Sequence, residues 1–234
     1  MAATSHGTRA RTDSTRKDGA RTGGTRTGSG RTGSGRIDKR QAILEGAFTV
    51  FARQGYAKSC VQDIADEAGV AKPTVYNHLG DKATLFRHAM EAAAQTVLNE
   101  RLAALDPLLA PGDDLRATLE RVGHELLRLH GDARSCALRR LLYAEVAQFP
   151  DMLGTVSESG PHHLVQALAD RMARLALSGR LRAGDPERAA EQFMALLVGP
   201  LEARSRMGTR AIGDAELAGI ARAAVDTFLR AFGV

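Results

Sequence analysis

The chain has 234 residues, of which 44% are hydrophobic and 4% aromatic, with a formal net charge of +5. This supports a packed body of one large or two small domains; no apolar run reaches spanning length and the N-terminus lacks the apolar core of a signal peptide, so a cytoplasmic protein without membrane association is expected. Cys60 and Cys136 lie far apart, outside any CxxC spacing, which argues against a disulfide framework or a zinc site and reads both as small buried hydrophobes.

Residues 1–36 carry eight basic side chains (Arg9, Arg11, Arg16, Lys17, Arg21, Arg26, Arg31, Arg36) against two acids (Asp13, Asp18). This segment therefore holds +6, leaving −1 for the rest of the chain. An Arg-Thr-Gly-Ser-Gly repeat fills residues 26–30 and again 31–35. With no apolar face to offset ordering entropy, residues 1–36 are expected to form a disordered basic arm. A basic arm on a near-neutral body suits a polyanionic partner, nucleic acid first.

From Ile37 the pattern turns helical. Ile43, Leu44, Ala47, Phe48 and Phe51 share one face, and Gly55 stops it. Ser59, with Gln62 three residues on, reads as a capping box for a short helix whose inner face is Val61, Ile64, Ala65 and Ala68. A turn at Gly69-Val70-Ala71 leads to a third helix from Lys72 or Pro73 to Leu79, and Asp81 caps a fourth reaching about Leu105. Further apolar stripes follow: Leu115 to Leu129, Leu138 to Phe149 (ended by Pro150), and Leu164 to Leu175. Asp185-Pro186 opens a helix running past Leu201, and Asp214 opens the last, ending near Phe232. No strand-like alternation is convincing. The fold class is all-α: a three-helix unit at 37–82 and a helical bundle at 83–234.

The two short helices around the glycine turn suit the reading of DNA, because a helix fits the major groove where base pairs differ in donors and acceptors. Val75 and Leu79 can face the core while Lys72, Thr74, Tyr76, Asn77 and His78 face outward with no carboxylate among them. The acids Asp63, Asp66 and Glu67 lie on the preceding helix.

These residues also carry a family resemblance. Phe51-Ala-Arg-Gln-Gly-Tyr56, Ile64-Ala-Asp-Glu-Ala-Gly-Val70, Thr74-Val-Tyr-Asn-His-Leu-Gly-Asp-Lys82 and Leu85-Phe86 closely resemble the signature of the TetR (tetracycline repressor-like) regulators. Leu141-Leu-Tyr-Ala-Glu-Val-Ala-Gln-Phe-Pro150, Gly160-Pro161 and the Asp185-Pro186 helix are similar to one type of TetR ligand domain. The resemblance implies that Lys72, Pro73, Thr74 and Asn77 approach base edges or the flanking backbone. It implies that Tyr76 and His78 meet phosphates and that Lys82 clamps one. The family usually has serine where Ala71 stands, capping the recognition helix, and a small residue at Pro73.

The resemblance further implies a small-molecule cavity in the bundle, with Arg140, Tyr143, Glu145, Phe149, Met152, His162, Gln166, Phe193 and Met194 as candidate lining groups. It implies homodimerisation through the last two helices, two recognition helices about 34 Å apart on a palindromic operator, and repression relieved by ligand through movement of the fourth helix. The crowding of apolar residues between Phe193 and Leu201 exceeds what one buried face needs, consistent with a dimer interface. No cofactor or metal is expected: His162 and His163 are adjacent and diverge on a helix, and His124 and His130 form no ligand motif. Two other classes stay open at this stage. A DNA-packaging protein would act through the basic arm without sequence preference; an all-α enzyme would need a catalytic constellation, and no nucleophile elbow, P-loop or convincing acid pair is present.

Overall fold

The computed structural model describes residues 31–206 and 208–234. Among them the chain is helical throughout: α1 (Arg31–Gln54), α2 (Val61–Glu67), α3 (Lys72–Leu79), α4 (Lys82–Ala104), α5 (Leu115–Gly131), α6 (Ala133–Ala144), α7 (Pro150–Ser157), α8 (His163–Leu177), α9 (Pro186–Ser205) and α10 (Asp214–Phe232). A five-residue π-helical turn, Glu158–His162, joins α7 to α8. The basic arm up to residue 30 lies outside the described residues.

Helix α1 is already formed at Arg31, the first described residue, six residues ahead of the expected start at Ile37. Once the segment from Ile43 onward is anchored by burial, extending a helix backward costs far less than nucleating one, so the Gly-Ser-rich turn follows it. Ile43, Leu44, Ala47, Phe48, Val50 and Phe51 are buried on its inner face.

The cap of α2 also differs from expectation. Cys60 is the N-cap residue, its Sγ accepting from the Asp63 amide at 3.4 Å, and it is exposed rather than buried. Ser59 is buried instead, and its hydroxyl donates to the Tyr56 carbonyl at 2.8 Å, closing the turn that follows α1. Gly69 takes φ +65° in the turn between α2 and α3, a region L side chains enter only at a cost. Gly46 serves a different purpose: a Cβ there would lie 3.1 Å from Ala68 Cβ and 3.1 Å from Ala68 N, so its absence lets α1 lie directly on the end of α2.

Pro150 begins a helix rather than merely ending one. Helix α6 stops at Ala144, and Phe149 turns inward from the intervening loop. Proline is tolerated at the first helical position because its missing N–H would have no intrahelical acceptor there.

The apolar interior forms two clusters, and α4 runs through both. The first joins α1–α3 and the first part of α4 to Leu138, Leu141, Leu142, Phe149, Met152 and Val156 of the α6–α7 segment. The second is the bundle of α5, α8, α9 and α10, which Leu98 of α4 enters. The α6–α7 segment thus packs against the N-terminal unit, although it lies far from it in sequence.

Candidate nucleic-acid interface and ligand cavity

Helix α3 is held by a thin apolar inner face: Val75 and Leu79 are buried. Lys72, Pro73, Tyr76 and Asn77 are exposed, and Thr74 and His78 are half-buried. Tyr76 leaves 47% of its surface open, a large aromatic exposure for a residue with no structural partner. Among the described residues, the side chains of Lys72, Tyr76 and Asn77 make no intramolecular hydrogen bond, so their polar groups are available to a partner.

The start of α3 departs from a well-capped helix. Ala71 occupies the N-cap with extended geometry (φ −73°, ψ 142°) and no side-chain hydrogen bond, with Pro73 in the first turn. Helix α4 is capped normally: Asp81 Oδ1 accepts from the Thr84 amide at 2.8 Å, which holds the Asp81 carboxyl below its ordinary range.

Two of the three acids of α2 are occupied elsewhere. Glu67 pairs with Arg53 at 3.3 Å, and Asp66 accepts from Gln62 at 2.8 Å. Lys82 lies at the beginning of α4 with its Nζ 3.4 Å from the Ala57 carbonyl and 4.5 Å from the centre of the Tyr56 ring. One ammonium proton is thus engaged, and a cation–π contact orients the head group; the remaining donors are left for an anion.

An apolar cavity of about 150 Å³ lies between α4, the end of α5, α6, α7 and the π-helical turn. Its apolar wall includes Val97, Leu98, Leu138, Leu142 and Val156, and its polar lining is Arg101, His130, Ser135, Arg139 and Tyr143.

Of the nine pocket residues anticipated from sequence, Tyr143 alone lines this cavity. Arg140 faces a separate, more open groove of about 640 Å³ with Arg128 and Arg210. Glu145 is turned toward the N-terminal unit, where its carboxylate accepts from the Tyr56 amide at 3.3 Å. Phe149 packs on Phe86 and Tyr56 with ring centres 4.8 and 4.9 Å away, and Met152 is buried in the same cluster. His162 and Gln166 are exposed around the start of α8. Phe193 is fully buried against Phe228, and Met194 packs beside it in the second cluster. Those helices bury their apolar stripes against one another, so their large side chains are core rather than cavity wall.

Known proteins agree with this arrangement. The model for the bacterial regulatory proteins of the tetR family matches residues 43–89, and that for the C-terminal domain of AefR-like transcriptional repressors matches residues 117–234. The chain belongs to the TetR family. The regulator TtgR of Pseudomonas putida is 27% identical over 170 residues, covering 69% of this chain and 78% of that protein. A TetR-family regulator from Mesorhizobium loti superimposes with a TM-score of 0.79 at 28% identity, covering 85% and 98% of the two chains. The flavonoid-responsive regulator FrrA gives a TM-score of 0.66 at 25% identity, covering 83% and 97%.

In this TetR regulator, two groups escaped the sequence reading. One is the α6–α7 junction with the DNA-binding unit. Beside the Glu145–Tyr56 bond, Arg134 reaches Glu45 at 2.8 Å and lies over the Phe48 ring at 5.0 Å, and Arg87 pairs with Asp151 at 3.1 Å. The other is the polar lining of the cavity. Arg101 interrupts the stripe Ala94, Val97, Leu98 on α4 that continues to Leu105 just past its end, and a cation on an otherwise apolar stripe was the available signal. Burial, with Arg139 beside it, holds Arg101 down to about 10. Burial first, then Arg139 and Arg101, push His130 down to about 3, so its contact to Glu202 at 3.3 Å is a hydrogen bond from a neutral imidazole and not an ion pair.

Proposed function

We propose that this TetR regulator is a homodimeric repressor that reads a palindromic operator with α3 and leaves it when a small molecule fills the cavity beside α4. The observation that carries the reading is the shared wall: α6 and α7 line the cavity with Leu142 and Val156 and also touch the DNA-binding unit through Glu145, Phe149 and Asp151. A ligand that alters the packing of α6–α7 therefore acts on Tyr56 and the start of α4, from which α3 is positioned.

Lys72, Pro73, Thr74 and Asn77 are assigned to base edges and flanking backbone, and Tyr76, His78 and Lys82 to phosphates. Phosphate contacts set register while base contacts set sequence. Dimerisation is assigned to α9 and α10. Phe193, Leu197 and Leu201 are used up in the bundle, while Leu196 and Val198 are half-buried and Ala195, Gly199 and Pro200 are exposed, a flat face open to a second copy. Release follows from population shift, which requires that the effector prefer the conformation unable to hold DNA. Small-molecule response in FrrA, which shares the fold, supports the same use of the cavity here.

The test is selection of bound sequences from a random duplex pool at physiological salt. A palindromic consensus is the expected result. Binding without sequence preference would support the packaging reading instead.

A further inference from the structure

We propose that the cavity between α4, α6 and α7 is built for an amphipathic organic carboxylate, with the charged end held by Arg101 and Arg139 and the apolar body lying against Val97, Leu142 and Val156. This names the effector class of the pocket assigned above and rests on that assignment.

The cavity wall is mainly apolar, and among its polar groups are two arginines, Arg101 and Arg139, close enough to repel one another. Arg101 is partly buried; its Nη2 reaches Ser135 Oγ at 3.4 Å, but its Nε is buried with no hydrogen-bond partner among the described residues. Arg139 spends its Nη2 on the His130 carbonyl at 3.0 Å and the Cys136 sulfur at 3.5 Å. Neither forms an ion pair among the described residues.

Asp132 and Glu100 lie near enough to offset part of the charge on Arg101, but no carboxylate among the described residues touches either guanidinium. Asp132 caps α6 by accepting from the Ser135 amide at 2.6 Å, and Glu202 binds His130. His130 stays neutral and adds no third charge.

Two adjacent, partly buried cations with no carboxylate in contact are costly, and an unpartnered buried donor adds to the cost. A planar carboxylate removes both penalties at once, because the guanidinium fork matches its two oxygens. A neutral ligand of the same shape would fill the apolar end and leave the cations uncompensated, so the site discriminates by what it leaves unpaired. The small volume and apolar wall exclude a nucleotide or other polyanion.

The experiment uses the full chain without DNA. Benzoate, 1-naphthoate, octanoate and decanoate are each compared with their primary carboxamides by titration calorimetry. At least one acid is expected to bind roughly 10- to 100-fold more tightly than its amide. Arg101→Gln and Arg139→Gln should erase that preference. Arg101→Lys, which keeps the charge, should retain part of it, and thermal melting of each variant separates loss of binding from loss of fold.

Amides binding as well as acids, a preference surviving both Gln variants, or no acid binding at all would each overturn the proposal. Operator release is read separately. An acid that binds without releasing operator supports the anion site and overturns the effector reading. Release by neutral compounds alone overturns the anion site and leaves the effector reading standing.

Discussion

Glu145, at the C-terminal cap of α6, accepts a hydrogen bond from the backbone amide of Tyr56, 3.3 Å away and 89 residues earlier in the chain. Tyr56 follows α1 and touches Lys82, Phe86 and Phe149, so this bond ties the cavity-lining segment to the base of the DNA-binding unit. It is a charge-assisted bond to a half-buried amide, and alanine leaves that amide without an acceptor. Glu145→Ala is expected to lower stability by about 1 kcal/mol. More tellingly, it should shrink the ratio of operator affinities with and without effector, while operator affinity in the absence of effector changes little. Fluorescence anisotropy on labelled operator, with and without effector, measures both. An unchanged ratio would remove Glu145 from the coupling route.

His130 gives the protein a specific acid sensitivity. Its folded-state value of about 3 lies below the ordinary 6.5, so between those values the unfolded chain binds the proton and the folded one does not. Its contribution is therefore present above pH 6.5 and is lost as pH falls toward 3. From pH 7 to pH 5 the loss is on the order of 2 kcal/mol. Denaturant unfolding of wild type and His130→Gln at fixed protein concentration tests this, since dimer stability depends on concentration. The variant should show the shallower pH dependence over that interval; parallel curves would exclude His130 as its source.

Much of this was legible from local pattern. The faces of α1 and α2, the turn at Gly69, the Asp81 cap and the Asp185-Pro186 opening of α9 are all set by nearest neighbours in sequence, and periodicity and cap chemistry report such things directly. The buried face of α3 was legible for the same reason: Val75 and Leu79 are four apart, with polar residues between.

The cavity was not legible, because a stripe says that a residue is buried without saying against what. Phe193 and Tyr143 both looked like pocket groups; one faces Phe228 and the other the cavity, and only the packing of α9 on α10 and of α6 on α4 separates them. Phe149 was assigned to the wrong element because Pro150 reads as a stop from one side and as a first-turn residue from the other. Cys60 was read as buried because free cysteine usually is, yet the start of α2 needed an acceptor and Ser59 was already bonded to Tyr56.

The basic arm makes a claim on salt dependence. Residues 1–30 hold six basic and two acidic side chains and lie outside the described residues. If the arm follows the DNA backbone, deleting residues 1–30 should flatten the plot of log binding constant against log salt by about 0.9 for each phosphate released. The operator consensus should stay the same, since phosphate contacts carry no sequence information directly. Titrations at several salt concentrations decide it, and an identical slope would leave the arm without a role in binding.

Ala71 offers a gain rather than a loss. Its backbone already has the extended geometry of an N-cap residue, but it has no side-chain oxygen to accept from the first-turn amides of α3. Serine at this position needs no backbone movement, and the residue is exposed, so its hydroxyl displaces nothing. Ala71→Ser should stabilise the protein by about 1 kcal/mol, which for a chain of this size raises Tm by roughly 2–4 °C. The same change should tighten operator binding, because α3 spans only residues 72–79 and a fraying first turn misplaces Lys72, Pro73 and Thr74. Melting curves and operator titrations on one preparation separate the two effects. A higher Tm with unchanged affinity would mean that bound DNA already orders the first turn in the wild type; no change in Tm would mean that Pro73 alone suffices to start the helix.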